Sequence, residues 1–171
     1  MTDTRRTLAA DLSRLLVREL DTLIREVQLC PDDESLWRVP AGVSNACGTL
    51  ALHCAGNLQH YVGRVLGGTE YVRDRAREFS QRSGTRADLV AELQRTREVV
   101  RDTLAALPGP ALDAAFPEPV AGVALPTRLF LLHLAVHLGF HVGQADYLRR
   151  IAHADARIAD TVSVRALASP P

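Results

Sequence analysis

Apolar side chains recur at helical spacing along four long stretches of the chain, separated by segments rich in proline and glycine. The first stretch, residues 3–29, has leucines at three- and four-residue intervals and charged side chains between them. This pattern predicts one amphipathic helix that ends before Pro31. The second helix is predicted to begin at Ser44 or Asn45, since either residue suits an N-cap, and to end at Leu66 before two glycines.

The third and fourth helices have clearer sequence boundaries. Thr85 and Asp88 have the spacing of a capping box, which predicts a third helix that continues to about residue 107. Residues 108–125 hold four of the nine prolines and cannot continue that helix. A connection this long predicts a crossover along the bundle, followed by a last helix over residues 126–152.

Four helices without a clear strand pattern predict an all-α fold. The 171 residues are enough for one domain with a substantial core, so we expect a single four-helix-bundle domain over residues 1–171. A long crossover is expected before the last helix. The tail, residues 153–171, has little periodicity and is expected to be weakly structured.

The composition excludes several classes of function. Basic and acidic residues number 20 each, which argues against a nucleic-acid or membrane-surface partner bound by net charge. No uninterrupted apolar run reaches the roughly 18 residues of a membrane span, and no signal-peptide pattern is present. Three cysteines are an odd number without metal-site spacing, which favours a reduced, cytoplasmic setting.

Histidines recur every four residues in the last predicted helix. His133, His137 and His141 would lie along one face, because each is rotated by only about 40° from the one before it. A pair such as His137 and His141 can hold one cation between two imidazoles. A third ligand must come from another helix, and His53 of the second helix is the candidate. Such a site would keep a coordination position open for chemistry.

The spacing alone leaves alternatives open. A lone buried histidine is more often a hydrogen-bonded core residue than a metal ligand. His133 is an alternative ligand together with His137, which would leave His141 structural. We prefer His141 because Gln144, three residues later, can orient it or a bound water.

Other polar residues lie near these histidines in the predicted helices. Asn57 and His60 share a helical stripe with His53. Arg73 and Arg75 follow in a polar segment, which is either a solvated loop with local ion pairs or the rim of an anion-binding pocket. Arginine suits carboxylates, so both arginines are candidate substrate contacts.

Three further observations limit the chemistry. No glutamate follows the first histidine of either H-x-x-x-H pair, so the zinc-peptidase pattern is absent. Cys54 points about 100° away from His53. We interpret it as a small core residue, and a reactive thiol is the less favoured alternative. Trp37 is interpreted as a buried residue beneath a loop, with ligand stacking as the alternative.

Three segments make the chain similar to a known family. They are LALHCAGNLQHYVGRVLGG, YVRDRAREF and HLAVHLGFHVGQADYLRR. They resemble the DinB-like superfamily of metal-binding four-helix proteins, and most closely its uncharacterised members with H-x-x-G-N and R-x-R-x-x-E-F motifs. The resemblance covers the second and fourth predicted helices and the segment after the second.

The resemblance implies an up-down-down-up bundle and a metal held by His53, His137 and His141. Relatives commonly bind zinc or nickel, and many form homodimers. Some are thiol S-transferases or isomerases that use bacillithiol or mycothiol, and others are described as metal-dependent hydrolases without a known substrate. Val142 replaces a basic residue that is usual in the family, so a particular thiol contact does not transfer directly.

Two functional hypotheses follow from the residues and the resemblance together. The first is an enzyme that binds a divalent cation and acts on a small-molecule substrate, with a low-molecular-weight thiol as a candidate cosubstrate. It would use Asn57 and Gln144 for positioning. The second is a non-catalytic, metal-stabilised bundle that dimerises as a stress-response partner. Neither hypothesis involves a nucleic acid or a membrane.

Overall fold

The fold is built from helices in the computed structural model, which describes residues 4–159 and 164–167, without the side chains of residues 4–7, 165 and 166. The α-helices of this part are α1 Thr4–Leu29, α2 Cys47–Leu58, α3 Arg75–Ser80, α4 Arg86–Ala106 and α5 Thr127–His153. A π-helix, Gln59–Leu66, continues α2. Short 3₁₀ turns are Ser35–Trp37, Gly109–Leu112 and Val164–Leu167. No β-strand occurs among the described residues, so the predicted all-α class is confirmed.

The long helices pack around one hydrophobic core. Helix α1 contacts α4 and α5, and α2 with its π-helical continuation contacts the same two helices from the other side. The core includes leucines from every long helix, such as Leu16, Leu20, Leu50, Leu93 and Leu134. The up-down-down-up order of helix directions and the single-domain boundaries stay predictions.

Helices α1 and α4 follow the sequence pattern closely. In α1, the apolar face predicted over residues 3–29 is buried, with Leu12, Leu16 and Leu23 at most 1% exposed. At α4, the Asp88 backbone N–H donates to Thr85 Oγ1 at 3.0 Å, and the Thr85 hydroxyl donates to Asp88 Oδ2 at 2.7 Å. The predicted capping residue therefore begins this helix.

The predicted N-cap of the second helix was wrong by one or two residues. Helix α2 begins at Cys47, and its N-cap is Ala46, which makes no side-chain cap hydrogen bond. Packing sets this boundary, because Gly48 in the first turn lies against the backbone of Leu36 and the ring of Trp37. A Cβ at Gly48 would be 3.0 Å from the Leu36 carbonyl oxygen.

The end of this helix at Leu66 was predicted, but its π-helical register over Gln59–Leu66 was not. The π-helix packs closely on α4. A Cβ at Gly63 would be 2.7 Å from Val99 Cγ1, so glycine permits this approach. π-Helical segments are rare and often occur near functional sites.

Trp37 is 8% exposed at the junction of the turn Ser35–Trp37, the start of α2 and the segment before α4. Its indole N–H donates to the Gly84 carbonyl oxygen at 3.0 Å. The hydrogen bond satisfies the polar atom of the ring while the apolar part is buried. The interpretation of Trp37 as a buried core residue is confirmed.

A buried ion pair connects α1 to the end of α5. Arg149 and Glu26 have fully buried side chains, and Arg149 Nε donates to Glu26 Oε2 at 2.6 Å. Arg149 also donates to Asp155 Oδ2 at 2.9 Å and to the Arg157 carbonyl oxygen at 2.6 Å. The guanidinium therefore fixes the chain that leaves α5.

The crossover and the tail contain little regular structure. Between α4 and α5, Phe116 N–H donates to the Leu125 carbonyl oxygen at 2.8 Å, and Val120 pairs with Val123. Helix α5 ends at His153, with Ala154 as its C-cap, and the described tail has one 3₁₀ turn. Residues 160–163 and 168–171 of the predicted weak tail lie outside the described part. No described helix has both the length and the apolar character to cross a membrane.

Candidate metal centre

Three histidines from two helices meet at one point. His53 lies in α2, and His137 and His141 lie one turn apart in α5, which contacts α2. The i, i+4 spacing places the two α5 imidazoles on one face. The ligand atoms of the three rings all lie within 4.8 Å of one another.

The facing atoms are Nε2 in each ring. His53 Nε2 is 3.4 Å from His137 Nε2, and His137 Nε2 is 3.1 Å from His141 Nε2. Nitrogen ligands about 2.0–2.1 Å from a tetrahedral ion are separated by about 3.3 Å. These two separations are therefore close to those of a three-histidine metal site.

His53 is held by a buried carboxylate on the opposite side of its ring. His53 Nδ1 is 3.0 Å from Glu78 Oε2. Arg73 donates to both oxygens of the same carboxylate, from Nε to Oε1 at 2.7 Å and from Nη2 to Oε2 at 2.9 Å. With Glu78 ionised, the His53 proton lies on Nδ1, so Nε2 presents its lone pair to the other histidines.

Gly56 makes room for this carboxylate. It lies in α2, three residues after His53, and a Cβ built there would overlap with Glu78 Oε1. Helix α3 therefore approaches α2 closely enough for Glu78 to reach the histidine. The contact gives a physical role to the glycine of the H-x-x-G-N motif.

His141 is oriented in a similar way from α5 itself. Its Nδ1 is 2.7 Å from Gln144 Oε1, a hydrogen bond in which the ring nitrogen donates. The proton is thus on Nδ1, and Nε2 is available towards His137. This hydrogen bond is consistent with a role for Gln144 in orienting His141. A role in orienting a bound water or substrate stays a prediction.

The local pKa shifts favour the neutral form of His137 and of His141. Burial, followed by the nearby His141 and His53 rings, lowers the pKa of His137 to about 4. Burial also lowers the pKa of His141, although its bond to Gln144 opposes the shift. Burial opposes ionisation of Glu78, but hydrogen bonds from Arg73 and His53 outweigh it and leave the Glu78 pKa below its usual value. Neutral imidazole is the form that binds metal.

This donor set fits a cation better than it fits a core hydrogen-bond network. Two of the three Nε2 atoms already present lone pairs, since the Nδ1 atoms of His53 and His141 carry protons. His137 Nε2 can donate only one proton, so it cannot satisfy both neighbours. One divalent ion would accept all three lone pairs. Imidazoles alone do not select among zinc, nickel, copper and iron.

Other predicted residues have different positions. His133 is exposed, and its ring stacks on Phe130 and His137 at centroid distances of 6.0 and 5.9 Å, outside the three-histidine group. His60 Nε2 is 2.8 Å from Glu118 Oε1. Asn57 is 8% exposed, and its role in positioning stays a prediction.

The two arginines occupy different surroundings. Arg73 is largely buried against Glu78, and its guanidinium also lies over the Tyr61 ring at 5.7 Å. Arg75 is exposed, with its guanidinium over the Phe79 ring at 5.3 Å. The carboxylate bound by Arg73 in this structure belongs to the chain itself. Binding of a substrate carboxylate by either arginine stays a prediction.

Cys54 is 1% exposed beside His53. Burial, followed by the charge of Glu78, raises the pKa of its thiol far above the usual value. A thiol held in the protonated form is a poor nucleophile and a poor metal ligand. This agrees with the interpretation of Cys54 as a small core residue.

Sequence reasoning did not identify Glu78 and Phe79 as members of the site. Both belong to the R-x-R-x-x-E-F motif, and the Phe79 ring is 4.9 Å from the His53 ring between centroids. The presence of Glu78 and Phe79 side by side in this motif could have indicated that both belong to the site. Their contact with His53, however, depends on how α3 packs against α2.

A cavity of about 620 Å³ is lined in part by Gln144, the partner of His141. Its lining is mainly apolar and includes Val43, Leu50, Tyr147 and Ile151. Ser44 and Asn45 add polar groups from the segment before α2. The three histidines do not line this cavity, so its connection to them is through Gln144, which contacts His141.

The sequence comparisons identify a matching family. A family model described as DinB superfamily matches residues 15–145, a range that includes His53, Glu78, His137 and His141. No curated protein matches the chain.

Proposed function

The chain belongs to the DinB superfamily, and from this premise we propose that it is a metal-dependent enzyme acting on a small molecule. In this proposal His53, His137 and His141 hold a divalent ion, with zinc or nickel expected. The reaction is transfer of a low-molecular-weight thiol to an electrophile, or hydrolysis of a small substrate.

One observation carries the proposal. Three Nε2 atoms converge, with separations of 3.4 and 3.1 Å for two pairs, while Glu78 and Gln144 bind the opposite nitrogens of His53 and His141. Partners that fix ring orientation on the far side are typical of metal-binding histidines. An ion held there would lower the pKa of a bound thiol or water and make a nucleophile at neutral pH.

The residues around the histidines have separable tasks. Glu78 and Arg73 fix the His53 ring, and the Glu78 charge is balanced by the Arg73 guanidinium. Three neutral imidazoles add no negative charge, so the site favours an anionic fourth ligand such as a thiolate or hydroxide. The apolar cavity beside Gln144 would hold the carbon part of the substrate away from water.

Elemental analysis of the untagged protein, purified without added metal, tests the binding part of the proposal. We expect about one equivalent of metal per chain. His137→Ala should lose this metal while circular dichroism remains that of a folded bundle. His133→Ala is the matched control, because His133 lies on the same helix outside the cluster. Unchanged metal content in His137→Ala would contradict the assignment.

A thiol-transfer assay with a low-molecular-weight thiol and a chromogenic electrophile tests the catalytic part. Metal-loaded wild-type protein should accelerate transfer, and His137→Ala should not. The alternative, a metal-stabilised and dimerising stress-response bundle, predicts bound metal and a higher melting temperature without any turnover. Bound metal without turnover in this assay would contradict thiol transfer as the reaction and leave metal binding intact.

A further inference from the structure

A further cavity lies between the π-helix and α4, away from the metal centre. Its volume is about 780 Å³, within the range of small-molecule sites. The end of the π-helix, the segment 67–71 and one face of α4 form its walls. The described residues that line it include neither the three histidines nor Glu78. We call it the α4 cavity.

The α4 cavity opens beside a close contact between two helices. A Cβ at Gly63 would be 2.7 Å from Val99 Cγ1, and a Cβ at Gly67 would be 2.5 Å from Thr103 Oγ1. The π-helix therefore touches α4 along this line, and the cavity is not a result of loose packing. None of the three histidines lies in the π-helix, so the metal centre does not account for this rare conformation, which often occurs at functional sites.

Acidic side chains on α4 give the cavity a negative charge. Glu98 and Asp102 both line it and are one turn apart, a spacing at which like charges repel. Arg101 donates to Asp102 Oδ1 at 2.9 Å, whereas Glu98 makes no hydrogen bond or ion pair within the described residues. The basic residue in the lining, Arg95, pairs with Glu92. One negative charge in the cavity is therefore left without a partner.

The end of α4 adds to this negative potential. The helix ends at Ala106 without a basic residue in its last turn, and Ala106 and Leu107 line the cavity. The last carbonyl groups of a helix have no partner within it and carry about half a negative charge. A cation at this end of the cavity would therefore meet full and partial negative charges from one helix.

Thr69 adds a polar atom that is buried in the wall of the cavity. Its Oγ1 has no hydrogen-bond partner among the described residues. A hydroxyl oxygen can accept a hydrogen bond from an N–H group. Because buried polar atoms are nearly always paired, an unpaired one at a cavity wall indicates a ligand that can donate to it.

The rest of the lining determines what kind of cation fits. Apolar side chains of Leu66, Val99 and Leu107 form much of the surface. A bare metal ion does not fit there, because the three histidines are the only group of three metal-ligand side chains in the part of the chain that the structure describes. The lining suits an organic cation with an apolar body.

We propose that the α4 cavity binds a small organic ammonium, namely a primary amine with a hydrocarbon or aromatic body. The ammonium group donates to the carboxylates of Glu98 and Asp102, and the body lies against the apolar side chains. This inference does not rest on the proposed function, and binding of the amine involves no metal.

Isothermal titration calorimetry with three related probes tests the charge preference. The probes are 2-phenylethylamine, the neutral 2-phenylethanol and the anionic 3-phenylpropanoate. The amine should bind about 10-fold more tightly than the alcohol, since two exposed ion pairs together give about that factor. The anion should bind more weakly than either. Added salt should weaken binding of the amine and leave binding of the alcohol unchanged.

A double variant tests the two carboxylates. In Glu98→Gln, Asp102→Asn the amine should bind about 10-fold more weakly, at the level of the alcohol, whose own affinity should not change. Both side chains are exposed, so the variant should fold, as circular dichroism can verify. The matched control is Asp11→Asn, Glu70→Gln, which removes the same charge from two exposed residues outside the cavity.

A second variant separates this site from the metal centre. An amine nitrogen can also bind a metal ion, so an amine at the three histidines would give a similar calorimetric signal. His137→Ala, which is expected to lose the metal, should bind 2-phenylethylamine as the wild-type protein does. Failure of the proposed function would leave this result unchanged.

Three results would overturn the proposal. The first is no binding of 2-phenylethylamine at about 10 mM, or binding no tighter than that of the alcohol. The second is equal affinity for the amine in the wild-type protein and in the double variant of Glu98 and Asp102. The third is loss of amine binding in His137→Ala, which would assign the amine to the metal centre.

Discussion

The carboxylate of Glu78 occupies the space that a side chain at Gly56 would need. A Cβ at Gly56 would overlap with Glu78 Oε1, and the other oxygen of that carboxylate is 3.0 Å from His53 Nδ1. The absence of one side chain in α2 therefore determines how α3 reaches a candidate metal ligand.

Replacing this glycine should weaken metal binding. In Gly56→Ala the new methyl group displaces the Glu78 carboxylate, so His53 loses the partner that fixes its ring. We expect metal affinity to fall about 10–100-fold, as for other lost partners of metal-binding histidines. Isothermal titration calorimetry measures the effect. Gly139→Ala is the control, because a Cβ there meets nothing within 4 Å. Equal losses of metal affinity in both variants would contradict the role of Gly56 in making room for the Glu78 carboxylate.

Removing only the charge of Glu78 should have a related effect. Glu78→Gln keeps the size of the side chain but loses the ionic pairing with Arg73 and the preference for a proton on His53 Nδ1. A 10–100-fold loss of metal affinity is expected, at about the level of other such partners. Glu118→Gln is the comparison, because Glu118 accepts from His60 outside the three-histidine group. An unchanged affinity in Glu78→Gln would show that Glu78 has no influence on the ligand.

Acid should destabilise the metal-free protein through His137. Its pKa is about 4 in the fold, compared with 6.5 as the ordinary value, so between these pH values the unfolded chain binds more protons than the folded one. This part of the stability is present above pH 6.5 and is lost as the pH falls through about 4. Urea unfolding at pH 7, 5.5 and 4, with the metal removed, measures it.

His137→Gln should reduce this acid sensitivity, whereas His133→Gln should leave it unchanged. His133 is exposed and lies outside the cluster, so its substitution controls for the loss of a histidine from the same helix. If both variants keep the slope of the wild-type protein, His137 does not contribute to it.

The ion pair between Arg149 and Glu26 should be costly to break singly. Both side chains are fully buried, and Arg149→Met leaves an uncompensated carboxylate, which costs about 3–5 kcal/mol. The double variant Glu26→Met, Arg149→Met should recover part of that loss. Arg95→Met is the surface control, with a side chain 61% exposed and an expected change within about 0.5 kcal/mol. A double variant less stable than Arg149→Met would contradict this account.

The fold was predictable where the signal is local. Apolar periodicity places α1 and α5, and the Thr85–Asp88 spacing places the start of α4, because both signals depend only on neighbours in the sequence. The start of α2 has no capping side chain, and Gly48 in its first turn packs against Trp37 from an earlier segment. A local sequence pattern does not show that contact. The π-helical register of Gln59–Leu66 likewise depends on packing against α4.

The site was predictable to a similar extent. The spacing of His137 and His141 places two imidazoles on one face, but nothing local to either helix connects them to His53. His53 was the candidate from the second helix, and the resemblance supported it, but the sequence does not show how α2 packs against α5. Glu78 was missed for the same reason, since its contact with His53 requires α3 to fold back over Gly56.

The position of Trp37 has a practical consequence. It is the one tryptophan of the sequence, and its indole is buried between Gly48 and Gly84. Its fluorescence spectrum should therefore shift to longer wavelength when the segment before α4 separates from the start of α2. The chain thus carries an intrinsic optical reporter for one junction of the bundle, and no label is needed to follow it.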